Sequence, residues 1–500
     1  MTLLAASPIF VLLLLLGVLR KPAWLASLAG LAVAIAVALA VYGMPAARLA
    51  ATVTYGAAFG LFPIGWVVFA AILLYRIIVE TGNFEILKDS VGSLTDDPKL
   101  QALLIAFAFG AFIEGAAGFG TPVAVAAAML SGLGFSPFYA AAICLLANTA
   151  PVAFGSIGIP ITTLAVTTGL PVDRLSAGVG RICAPVSLFI PAYLVAVMSG
   201  WRGLRAVLPA AAVCGVAFAG TQFFISNFVG VQLTDILASL AAMGALLAVI
   251  RLSGSRGSRA STHSRAATWR AWLPYALLVI FVLAWGYKPL QTRLDAQTVV
   301  FHWPGLADAA PYKFAWLSAS GTACLFAAVL GAAFLGVSPR QFAGVFARTA
   351  RQLALALLTL AAVLALAYTM NYSGATRTLG LAFAATGRAF PFCSALLGWL
   401  GVFLTGSDTS ANALFGTLQV VTAHKLAMNP VLMAAANSAG GVMGKMISLT
   451  SIAVAAAATS MKRQEEGLLF RFTFKHSVLL ASVVGLIVMF YAYVMPGWAP

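Results

Sequence analysis

The sequence predicts an all-α polytopic membrane protein, and three observations carry that reading. Of its 500 residues, 62% are hydrophobic and only 8% charged, against roughly 45–50% and about 25% in a soluble globular chain. The apolar residues come in long runs, many near the about 20 residues that cross a bilayer as helix. Two runs, one in each half of the chain, are interrupted by Gly, Ser and Thr in similar order. So few charges cannot cover a water-facing body, which excludes soluble enzymes, secreted disulfide-rich domains and disordered chains.

The first apolar run has no basic residues before it and ends at Arg20-Lys21, so it reads as a membrane helix and not a signal peptide. Twelve spanning segments follow the about 20-residue measure, near 4–19, 23–43, 57–79, 137–169, 176–200, 204–225, 232–250, 272–287, 313–336, 352–371, 430–459 and 476–495. The stretches 101–134 and 392–424 are broken in the middle and are read as two re-entrant helical hairpins. Non-helical backbone at membrane depth survives only where protein or a water-filled cavity satisfies it, so these breaks mark where function lies. With the N-terminus outside, the inner loops hold more than twice as many Lys and Arg as the outer ones, the bias expected of cytoplasmic loops. The net charge of +16 therefore belongs to membrane topology, and no nucleic-acid partner is expected.

The basic Ser/Arg-rich stretch 251–270 reads as a cytoplasmic linker. It separates an N-terminal half, 1–250, with a core at about 57–205, from a C-terminal half, 271–500, with a core at about 350–495. The halves resemble each other. Gly110-Ala-Phe-Ile-Glu-Gly115 aligns with Gly401-Val-Phe-Leu-Thr-Gly406 at an offset of 291, and Ala147-Asn-Thr-Ala150 with Ala436-Asn-Ser-Ala439 at 289. Glu80-Thr-Gly82 and Tyr372-Ser-Gly374 fall at 292. Segment 57–79 runs inward and its counterpart 352–371 outward, so the repeat is inverted, the architecture of secondary transporters.

Four ionisable residues remain inside the spans: Glu114, Asp408, Arg181 and Lys445. A charge there is a functional hypothesis by default. Glu114 precedes Gly115-Ala-Ala-Gly118-Phe-Gly120-Thr121-Pro122, and Asp408 lies in Thr405-Gly-Ser407-Asp-Thr-Ser-Ala-Asn412. Lys445 follows Asn437-Ser438-Ala-Gly-Gly-Val-Met-Gly444. The small residues Gly118 and Gly120 let backbones approach, and half-helix N-termini present N–H groups to an anion. Thr121, Asn148, Thr149, Ser407, Asn437 and Ser438 supply hydroxyls and amides for a small polar solute. Lys445 is placed to hold a carboxylate, the substrate's or that of Asp408. Glu114, first, and Asp408, second, are candidate proton carriers. A structural Asp408–Lys445 pair and a capping role for Glu114 fit the same residues, and Arg181 reads as structural. The five cysteines sit in apolar runs and the four histidines are scattered, so no metal site, cofactor or enzymatic constellation is expected.

At these motifs the chain resembles the L-lactate permease family. The resemblance rests on Val79-Glu-Thr-Gly-Asn-Phe-Glu-Ile-Leu-Lys-Asp89, Phe112-Ile-Glu-Gly-Ala-Ala-Gly-Phe-Gly-Thr-Pro122 and Ala147-Asn-Thr-Ala-Pro-Val-Ala-Phe-Gly155. Leu404-Thr-Gly-Ser-Asp-Thr-Ser-Ala-Asn-Ala-Leu-Phe-Gly416 and Ala436-Asn-Ser-Ala-Gly-Gly-Val-Met-Gly-Lys-Met-Ile-Ser448 extend it to both halves. It implies an ion-transporter-like fold in the bacterial cytoplasmic (inner) membrane. It also implies uptake of L-lactate and related 2-hydroxymonocarboxylate anions, D-lactate and glycolate, with protons. Ser410-Ala411-Asn412 and Ser448-Leu-Thr450 depart from the family pattern and bear on substrate choice. A sodium-coupled carrier of another small organic anion is the alternative, because unwound carbonyls with Asp408 also suit Na⁺. The oligomeric state is not legible.

Overall fold

Apolar runs that must satisfy their own backbone become helices, and in the computed structural model nearly the whole chain is helical. The structure describes residues 1–118, 120–253, 263–306, 311–462 and 465–499. The first half comprises α1 (Thr2–Leu13), α2 (Ala23–Ala40), α3 (Ala46–Phe59), α4 (Trp66–Glu80), α5 (Asn83–Gly92), α6 (Pro98–Ala116) and α7 (Thr121–Gly132). It continues with α8 (Pro137–Ala147), α9 (Gly155–Thr168), α10 (Val172–Phe228) and α11 (Thr234–Leu252). The second half comprises α12 (Arg265–Gly286), α13 (Lys288–Asp295), α14 (Ser320–Leu335), α15 (Pro339–Ser373), α16 (Ala375–Phe383) and α17 (Phe390–Thr405). It ends with α18 (Asp408–Lys425), α19 (Pro430–Lys445), α20 (Leu449–Ala458) and α21 (Glu466–Tyr493).

One departure from an all-α chain is an antiparallel ribbon of β1 (Val299–Phe301) and β2 (Tyr312–Phe314), with Val299 opposite Phe314. β-branched and aromatic residues favour such pairing. The ribbon is pinned down by the Tyr312 hydroxyl, which donates to the Phe62 carbonyl at 2.8 Å.

Among the described residues ten helical stretches are long and apolar enough to cross a membrane, or eleven if α8 and the segment after it, bent by 64°, form one span. This is a multi-pass membrane protein. The count differs from the twelve expected segments for visible reasons. α10 counts once at 57 residues, although at about 1.5 Å per residue it is far longer than a bilayer core of about 30 Å. It turns at Gly200 (φ +66°), between the expected segments 176–200 and 204–225. The expected segments 4–19 and 313–336 are shorter apolar helices, while Pro98–Ala116, expected as half of a hairpin, is long enough to count. Part of the expected linker, residues 254–262, lies outside the described residues.

Small residues set how closely helices approach. A Cβ on Gly440 would overlap the Ala395 carbonyl, and one on Gly398 the Asn437 carbonyl, so α17 and α19 meet backbone to backbone. Gly444 continues the seam, 2.9 Å from the Phe403 nitrogen by the same measure. Gly56 and Gly60 let α3 lie against Ala365 and Ala361 of α15, at 2.8 and 2.7 Å. This is membrane helix packing through small residues. The halves interlock: α9 packs on α18, and α20 on α7 and α8. Apolar side chains such as Phe189, Val216, Ile280, Leu355 and Leu486 remain exposed, a surface suited to hydrocarbon.

Candidate functional site

Three helix breaks converge on one cavity of about 260 Å³. The first break, between α6 and α7, carries Glu114 at 5% exposure and turns through Gly118 (φ +61°) and Gly120 (φ +82°). The second lies at the start of α9, where Ser156, Ile157 and Gly158 all have positive φ. For a β-branched residue such as Ile157 that conformation is strained, and strain of this kind collects at functional sites. The Ser156 hydroxyl donates to the Ala117 carbonyl at 2.9 Å, tying these two breaks together. The third, between α17 and α18, turns at Gly406 (φ +73°). There Ser407 caps α18, accepting from the Ser410 N–H at 3.2 Å.

Around the cavity stand one cation and two carboxylates. Lys445, at the end of α19, donates from Nζ to the Gly406 carbonyl at 2.5 Å, and its charge interacts with both Glu114 and Asp408. It closes no ion pair with either among the described residues. Asp408 is held from behind. Its Oδ2 accepts from Ser438 Oγ at 2.6 Å and Asn412 Nδ2 at 3.3 Å, while its Oδ1 has no partner. The network runs deeper: Asn437 Nδ2 donates to Asn412 Oδ1 at 2.9 Å, and Gln419 Nε2 donates to Asn437 Oδ1 at 3.0 Å. Glu114 lacks such support. Its Oε2 is unpartnered, and buried Asn148, which interacts with the Glu114 carboxylate, is tied into no wider network.

A family model described as L-lactate permease matches residues 1–495. The chain belongs to the L-lactate permease family. It is 45% identical to the L-lactate permease of Bacillus subtilis (strain 168), covering 99% of this chain and 96% of that protein. It is 43% identical to the glycolate permease GlcA of Escherichia coli (strain K12), again over 99% and 96%. Among solved structures it resembles the Alcanivorax borkumensis YdaH transporter, at TM-score 0.51 and 16% identity, covering 90% of this chain and 88% of that one. At that identity the likeness concerns fold alone.

Of the residues singled out in the sequence, Glu114, Gly120, Ser407, Asp408 and Lys445 line the permease's cavity. Gly118, Thr121, Asn148, Thr149, Asn437 and Ser438 do not. Gly118 lies behind the wall, where an added Cβ would meet the Ser156 hydroxyl. Thr121 opens α7, and Thr149 returns its hydroxyl to the Leu146 carbonyl at 2.7 Å. Asn437 and Ser438 belong to the network behind Asp408. Arg181 is elsewhere: its Nε donates to Asn227 Oδ1 at 2.8 Å and its NH1 to the Trp498 carbonyl, clamping the C-terminal tail. Phe119, within the first motif, lies outside the described residues.

Ser156, Thr405, Thr409 and Ser451, not among the candidates from sequence, add hydroxyls to the cavity wall, as do Ser410 and Thr450 from the two stretches that depart from the family pattern; the Gly155-Ser-Ile-Gly-Ile-Pro160 run is the one signal in the first half. One more acidic residue also lies within the apolar segments. Asp235 opens α11 at 1% exposure with neither carboxylate oxygen bonded. Its signal is that it is the sole charge between Trp201's basic neighbours and Arg251, masked by its place near the edge of segment 232–250.

Proposed function

We propose that this permease imports L-lactate and related 2-hydroxymonocarboxylates, D-lactate and glycolate among them, across the bacterial cytoplasmic membrane by proton symport. The observation that carries this reading is the cavity itself: one ammonium and two carboxylates, surrounded by hydroxyls, at three helix breaks. Lys445 and the first-turn N–H groups of α18 hold the substrate carboxylate, an anion at a helix N-terminus. The hydroxyls of Ser407, Thr409 and Ser410 meet the 2-hydroxyl, with Gly118, Gly120, Thr121, Asn148, Thr149, Asn437 and Ser438 shaping or supporting the site. Glu114 takes up the proton that neutralises the load, and Asp408 is the second carrier.

In this reading 101–134 and 392–424 are re-entrant hairpins of an inverted repeat. The halves 1–250 and 271–500, joined by the linker 251–270, carry that repeat across twelve crossings. Matched left-handed glycines support it, Gly82 ending α4 and Gly374 ending α15, as does the meeting of both hairpin tips at one cavity. Sodium coupling is the less favoured reading, because the Lys445 ammonium faces both carboxylates and opposes a second cation between them.

The test is uptake of labelled L-lactate into proteoliposomes under an imposed inward proton gradient without sodium. Accumulation that collapses with an uncoupler and is competed by glycolate is expected. Uptake that requires sodium at fixed pH would overturn the proton reading.

A further inference from the structure

The connection between α10 and α11 does not run over the surface. Val231 and Leu233 are 2% and 3% exposed, and a Cβ on Gly158 would lie 2.8 Å from the Val231 carbonyl, so the connection is pressed against the strained break at the start of α9. This places Asp235 against α6, where a Cβ on Gly115 would lie 2.9 Å from the Asp235 Cβ. Gly115 follows Glu114 directly. The charges of Asp235 and Glu114 interact.

A carboxylate in the first turn of a helix ordinarily accepts backbone N–H groups or answers the helix dipole. Asp235 accepts none, for both its oxygens are unpartnered. The neighbouring hydroxyl of Thr234 is already donated to the Gly230 carbonyl at 3.0 Å. Among the described residues no Lys, Arg or His closes an ion pair with Asp235. The titratable groups that face it are Glu114 from α6 and the buried Cys183 thiol from α10, and α9 carries none. A buried carboxyl without bonds or counter-charge is costly unless it carries a proton. Asp235 also lies outside the cavity that Glu114 lines.

We propose that Asp235 is the proton-handling partner of Glu114, forming with it a two-carboxyl route that leads away from the substrate cavity. A proton passes from the carboxyl of one to the carboxylate of the other. The O–H bond broken on the donor is replaced by one on the acceptor, and the pair keeps a single charge. Substrate then occupies the cavity side of Glu114 while the proton comes and goes on the Asp235 side. The inference rests on the proton-symport reading.

The experiment compares wild-type and Asp235→Asn permease in proteoliposomes by two assays. One is counterflow of labelled against unlabelled L-lactate, which needs no net proton movement. The other is accumulation driven by a proton gradient. The expected result is counterflow within about two-fold of wild type and accumulation reduced about ten-fold or more, with Asp235→Glu restoring accumulation. Asp235→Asn accumulating as wild type would overturn the proposal, and so would equal loss of both activities in folded protein. If Asp235→Asn does not fold, Asp235→Glu decides: a shifted pH profile of accumulation with unchanged counterflow supports the route, and an unshifted profile overturns it. A wild-type protein that shows counterflow but no proton-driven accumulation would instead overturn the symport reading beneath it.

Discussion

Asn148 and Asn437 occupy matched positions in the two halves, yet their surroundings are opposite. Asn437 is bonded through both amide atoms, to Asn412 and Gln419. Asn148 joins no such network, and the group it addresses is Glu114. The next residues repeat the contrast: Ser438 donates to Asp408 at 2.6 Å, while Thr149 returns its hydroxyl to its own helix. The second half thus fixes its carboxylate in a satisfied network. The first half leaves Glu114 and its neighbour with unmet bonding capacity, which costs about 1–3 kcal/mol per buried group. Two stretches of similar sequence thus differ in their bonding: the satisfied one is built to hold shape, and the unsatisfied one is where the proposed proton uptake would fall.

Lys445 faces both regions, so removing it gives the largest effect and tests whether they act on one substrate. Lys445→Ala should raise the KM for L-lactate about 10- to 100-fold, from loss of a charge-assisted bond of about 1.5–3 kcal/mol. Unchanged affinity would remove it from the site. The division of labour is exposed next. Glu114→Gln should reduce proton-driven accumulation about ten-fold or more while counterflow persists, whereas Asp408→Asn should weaken both. The opposite pattern would reverse the assignment.

Smaller effects separate the two asparagine neighbourhoods. Asn437→Ala and Ser438→Ala should each lower unfolding stability by about 1–3 kcal/mol, since each strands a buried partner, measured by thermal unfolding in one detergent. Asn148→Ala and Thr149→Ala should stay within about 0.5 kcal/mol of wild type. Equal losses at Asn148 and Asn437 would abolish the contrast.

Much of this was legible in the sequence because membrane burial makes polarity rare. Glu114, Asp408 and Lys445 stood out as charges beside glycine-rich breaks, and all three line the cavity. Less legible was which polar residue faces the cavity and which supports it. Asn437 and Ser438 meet Asn412 and Asp408 because α19 packs against α18, and that packing is a tertiary fact. Asp235 escaped because a carboxylate near the edge of an apolar run looks like a loop residue. Only the buried path of Val231–Leu233 carries it inside. The two expected segments within α10 are separated by a kink at Gly200, φ +66°, and Val207, which no periodicity reports.

The seam at Gly398, Gly440 and Gly444 has one further consequence. Where the opposing atoms are main-chain carbonyls and a main-chain nitrogen, there is no side chain to trim or rotate in compensation, so a single added methyl is met by rigid backbone. Such a surface is inherited whole or lost with the protein. Room for change in the polar lining lies instead at residues such as Thr409, Ser410 and Thr450, whose side chains line the cavity and take no part in the seam that carries Lys445.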